Sequence, residues 1–97
     1  MRREEYVFCI GFEGSTAIIN GRLQRRHGAR STRELVEAGL FKQAVCSALA
    51  SGDPRELDEV LALYNERTTS PVRSVDELKR IFGVSAVPEG VKKITVV

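Results

Sequence analysis

The chain has 97 residues, 42% of them hydrophobic and 29% charged, with 15 basic and 13 acidic side chains and one histidine. That is the balance of an ordinary globular protein, and the length makes a single domain over residues 1–97. It excludes a membrane span, since no stretch approaches the roughly 20 apolar residues that crossing a bilayer takes.

The first strand is predicted in "YVFCIGF", residues 6–12, where aromatic and β-branched residues alternate with period two. Both of its faces are apolar, so it is expected either to be covered twice or to meet a partner. Glu13-Gly14-Ser15 has turn chemistry, and "TAIIN" resumes the strand, giving an N-terminal β-hairpin. Val7, Cys9, Ala17 and Ile19 then fall on one face and become candidates for a two-fold self-association patch. Asn20-Gly21 is a second turn signal, and the polar "RLQRRHGAR" reads as strand end and loop.

A capping box, Ser31 with Glu34, opens the first helical pattern, which runs to about residue 50 with Gly39 as a candidate break. "SGDPRELDEVLALYN" opens the second helix, with Asp53 as cap, Pro54 in the first turn and Glu56 closing another box. Ser74 and Glu77 begin a third helix that Gly83 stops. The tail "VKKITVV" is β-rich and is expected to join the sheet, next to either the first strand or the second. The order β-β-α-α-α-β predicts an α+β fold. Its expected core is Phe8, Ile10, Ile18, Leu35, Leu40, Val45, Leu49, Leu57, Val60, Leu61, Tyr64, Leu78, Ile81 and Ile94.

The hairpin "GFEGSTAII" resembles the phosphate-binding turn of actin-like and hexokinase-like ATPases. It departs from that turn, because Glu13 replaces the aspartate and one residue before the glycine is missing. No Walker loop or dinucleotide fingerprint is present either, so a plain hairpin bend is expected. "LKRIFGVS" resembles the first half of a lac-repressor-type helix-turn-helix. Pro88 and Gly90 then fall where its recognition helix would run.

Three Cys and His side chains in all are too few for an ordinary four-ligand zinc site, and Cys9 and Cys46 are expected to be small buried hydrophobes in a reducing cytoplasm. No metal and no cofactor is indicated. No serine or cysteine has a visible base, so no catalytic residue is assigned and an enzyme is the less favoured class.

Charge placement stands out. From Gly14 to Arg33 there is no acid, while Arg22, Arg25, Arg26, His27, Arg30 and Arg33 all occur. Without these arginines the rest of the chain is net acidic. The planar guanidinium suits phosphate and carboxylate, so the segment is a candidate for binding phosphate or an acidic partner. A cytoplasmic, non-catalytic protein-binding or assembly module, self-association included, is the expected function. A nucleic-acid-binding accessory domain using residues 22–33 is the alternative.

Overall fold

The computed structural model describes residues 1–84 and 86–97. The chain is α+β, with a hairpin near the N-terminus and a strand near the C-terminus enclosing a run of helices. Strands β1 (Cys9–Glu13) and β2 (Thr16–Ile19) pair antiparallel, and β3 (Lys93–Val96) lies parallel to β2, giving the order β1-β2-β3. The closing strand therefore joins the second strand of the hairpin, and β1 keeps an outer edge. The hairpin turn is Gly14-Ser15; a φ of +62° at Gly14, with no other positive φ in the turn, is the pattern of a type II′ turn.

Six helices replace the three expected among the described residues. Tyr6 and Val7 belong to the short helix α1 (Arg3–Val7), not to a strand. Glu4 and Glu5 occupy its first turn, and the Glu5 carboxylate accepts the Arg2 amide at 2.7 Å. The segment after Asn20 is a helix as well, α2 (Gly21–His27), where a loop was expected. The Asn20 side chain accepts from the Leu23 amide at 3.1 Å, so Asn20-Gly21 starts a helix instead of turning a hairpin.

The long helical pattern divides at Gly39, whose φ of +79° only glycine adopts readily, into α3 (Thr32–Glu37) and α4 (Phe41–Ser51). Helices α5 (Pro54–Arg67) and α6 (Val75–Ile81) start at Asp53 and Ser74 as their capping residues predict. Glu56 does not close a box with Asp53; its carboxylate accepts from the Thr32 hydroxyl.

Helices cover one face of the sheet. Phe8, Ala17, Ile19, Leu35, Val36, Val45, Val60 and Leu78 are buried there, and an aromatic cluster of Phe41, Tyr64 and Phe82, with centroids 5.4–6.5 Å apart, joins α4, α5 and the end of α6. Of the expected core, Phe8, Leu35, Val45, Val60 and Leu78 are buried. Leu40, Leu49, Leu57, Leu61, Tyr64 and Ile94 pack half-buried against them.

Ile10 and Ile81 are corrections, at 57% and 54% exposed, and Ile18 is only half-buried. The cause in the sheet is register. An irregularity between Cys9 and Gly11 interrupts the alternation of β1, so Ile10 leaves the inner face that Ile19 and Cys9 share.

Arg3 ties the layers together. Its guanidinium donates to the carbonyl of Gly28 (3.3 Å), the carbonyl of Arg30 (2.7 Å) and the Ser47 hydroxyl (2.7 Å), linking α1 to the α2–α3 connection and to α4. No helix among the described residues is long and apolar enough to cross a membrane.

Candidate functional site

The acid-free arginine segment is not one surface. Its first half is a short helix fixed to the sheet, because the Gly21 amide donates to the Val97 carbonyl at 3.0 Å and Leu23 packs against the core. Gln24, on the next turn, reaches the Glu4 carbonyl at 3.4 Å. With those positions turned inward, Arg22, Arg25 and Arg26 face outward and are exposed. None of the three side chains makes a hydrogen bond or ion pair among the described residues.

Arg33 behaves differently. It sits on α3 and pairs with Glu37 at 3.4 Å and Glu59 at 3.0 Å, so its charge is already matched. Between these halves, Arg30 donates from Nε to His27 Nδ1 at 2.8 Å. That bond requires a neutral Nδ1, and it holds His27 as the tautomer protonated at Nε2. Loss of solvation first, and then the Arg30 and Arg26 charges, push the imidazole below its ordinary pKa. Arg22, Arg25 and Arg26 thus remain as an unmatched cationic surface, while Arg30 faces His27 and the Glu34 carboxylate and Arg33 lies outside it.

The self-association patch inferred from alternation is not at the surface. Val7 is 2% exposed, and Ala17 and Ile19 are fully buried in this chain's own core. Cys9 is half-buried and donates from Sγ to the Gly11 carbonyl at 3.2 Å. The face taken as free is the one that the helices cover.

The exposed apolar side chains of the hairpin are Ile10 and Phe12, at 57% and 50%. They flank a cavity of about 250 Å³ between the outer edge of β1, the first half of α4 and the loop after α6, with Cys9, Cys46, Lys42 and Val84 in its walls. Lys42 makes no hydrogen bond or ion pair among the described residues.

Tyr6 also borders this cavity and shares a hydrogen bond with Cys46. Burial pushes the Cys46 thiol above its ordinary pKa, and the Tyr6 hydroxyl is pushed up by burial and by Cys46 beside it. Both groups are therefore held protonated at neutral pH, which is the opposite of an activated nucleophile. Sequence reasoning missed Phe12 and Lys42. The signal for Phe12 was incomplete, since the sequence left open which hairpin strand the tail would join and so which one would lie at the edge.

A second hollow lies around Arg3, Thr32, Ser47 and Glu56. Its polar groups bond to one another: Thr32 Oγ1 meets Ser47 Oγ at 2.8 Å, and Glu56 accepts from the same threonine. They tie α1, α3, α4 and α5, and no histidine lies among the hollow's lining residues.

Compared with protein-family models, curated proteins and solved structures, the chain matches none.

Proposed function

We propose that the chain is a non-catalytic binding or assembly module of the cytoplasm, and that it takes a protein partner at the outer edge of β1. The occupant is an extended segment of that partner, added to the sheet as a further strand. One observation carries this reading: β1 has a strand on one side only, and its two exposed apolar side chains, Ile10 and Phe12, border a cavity. An uncovered edge presents a row of amide and carbonyl groups that another chain can complete, while pockets beside it select side chains. Antiparallel pairing alternates inward and outward amides, so β1 has backbone groups to offer on its free side. Lys42 supplies charge complementarity. Its ammonium is unmatched at the cavity, so the favoured segment carries a carboxylate next to an apolar side chain.

Selection of linear peptides from a displayed library against the immobilised chain tests this. Enriched peptides should share an apolar residue near an acid, and their binding should slow hydrogen exchange at the β1 amides. Phe12→Asp should abolish capture while circular dichroism stays unchanged. Enrichment that Phe12→Asp leaves intact, or no protection in β1, overturns the proposal.

A further inference from the structure

The cationic face of α2 lies outside the protein-docking edge and calls for a ligand of its own. We infer that Arg22, Arg25 and Arg26 form a contact surface for the sugar-phosphate backbone of a nucleic acid, engaged without base readout. This does not rest on the role given to β1.

Three observations support it. First, the arginines are presented by a helix, not a loose loop, and that helix is held by the Asn20 cap, by Gly21 at the Val97 carbonyl and by Gln24 at the Glu4 carbonyl. Arg22 and Arg26 are four residues apart, which puts their Cα atoms about 6 Å apart along the helix axis. Side chains whose backbone is already fixed lose less freedom on binding than side chains on a mobile segment.

Second, their charge is unspent. Arg33, Arg55 and Arg2 each meet a carboxylate, whereas Arg22, Arg25 and Arg26 meet none. The carboxylate of Glu4, whose carbonyl receives Gln24, is itself engaged by Arg2 at 3.6 Å.

Third, the chemistry of the face favours a polyanion over a protein. Its exposed residues are Arg22, Arg25, Arg26 and, just beyond the helix, Ala29; Leu23 turns to the core. A protein interface of useful affinity is built around a buried apolar or aromatic anchor; α2 itself offers none, and the exposed apolar side chains beside it are the small Val96 and Val97 at the end of the sheet. A backbone contact needs no such anchor, because release of condensed counterions drives it. The same lack of aromatic side chains removes stacking on unpaired bases, so binding should be indifferent to sequence.

Fluorescence anisotropy with labelled duplex and single-stranded DNA, read across a salt series, tests the inference. Three contacts give a slope of log affinity against log salt of about −2.7 on duplex and about −2.1 on single strands. On duplex, affinity should then fall about 40-fold between 50 and 200 mM salt. Arg25→Ala should make the duplex slope shallower by about 0.9, and Arg25→Lys should restore it, since the slope counts charges. Arg33→Ala should leave the slope unchanged, because that guanidinium is committed to Glu37 and Glu59.

Several results would overturn the inference. They are no anisotropy change at 20 mM salt, a loss on Arg33→Ala equal to that on Arg25→Ala, and competition by polyglutamate as strong as by unlabelled DNA of equal charge. The last would assign the face to an acidic protein. Phe12→Asp should bind DNA like the parent chain, so failure here and failure at β1 are separately visible.

Discussion

Gly21→Ala tests whether α2 is seated as described. A Cβ built on Gly21 would lie 2.5 Å from Val96 Cγ1 and 2.9 Å from the Val97 carbonyl oxygen. Non-bonded carbons prefer about 3.5–4.0 Å, so something must move by roughly an ångström. The Val96 side chain is half exposed and can turn away, but the Val97 carbonyl is backbone and accepts the Gly21 amide at 3.0 Å. Relief there stretches the backbone bond that Gly21 makes from α2 to the end of the sheet. Overpacking of this kind costs about 1–3 kcal/mol, and alanine returns at most about 1 kcal/mol of helix preference. The expected net loss is about 1–2 kcal/mol. For a chain of this size each kcal/mol lowers the melting temperature by about 4–8 °C. Thermal melts followed at 222 nm, with urea titration at constant temperature, give both numbers. Gly11→Ala is the control, since a Cβ there meets nothing within 4 Å. A Gly21→Ala protein that melts at or above the parent temperature would refute the seating of α2 against β3.

Two further outcomes follow from titratable groups. Cys9 is half-buried and Cys46 buried with its thiol pushed up, so a thiol reagent should label Cys9 before Cys46, and both more slowly than in denaturant. Mass spectrometry of timed samples reads the order, and rapid labelling of native Cys46 would contradict its placement. In acid, the urea midpoint should fall in two stages. His27 has a lowered folded pKa, so its contribution is present above the ordinary imidazole value and is lost as pH drops through and below it. Glu34, held down by the Ser31 amide and hydroxyl, and Asp53, held down by Arg55, lose theirs below the ordinary carboxylate range. Cys46 acts on the alkaline side: its raised folded pKa means stability falls as pH climbs past the ordinary thiol value. A midpoint that rose on acidification would contradict these assignments.

Local signals in the sequence carried well. The Ser31–Glu34 box, the Asp53 and Ser74 caps and the Gly14 turn each act within a few residues, so each could be placed from the sequence alone. What could not be read depends on contacts far along the chain. α2 is seven residues long and leans on Val97 and Glu4, contacts made only once the sheet and α1 are in place. A helix this short is not stable on its sequence alone. Ile10 and Ile19 exchanged roles for a similar reason. Alternation fixes two faces, but which one the helices cover, and where the strand breaks step, are tertiary facts. The arginine run looked uniform because Glu59, which neutralises Arg33, lies 26 positions downstream.

Helix stability explains only part of that run. Arg25, Arg26 and His27 occupy the last turn of α2, where positive charge complements the carbonyl end of the helix dipole. That complementarity is reason enough for a basic residue there. Arg22 is in the first turn, beside the amide end, where the same dipole disfavours it and an acid would be the stabilising choice. Its neighbour Asn20 already satisfies the Leu23 amide, so Arg22 contributes nothing to the cap. Among the described residues, no carboxylate pairs with it. Capping, dipole and ion pairing thus explain the acids at the starts of α3, α5 and α6, and the bases at the end of α2. They leave Arg22 unexplained, and the nucleic-acid contact inferred for α2 is the reading that gives it a role beside Arg25 and Arg26.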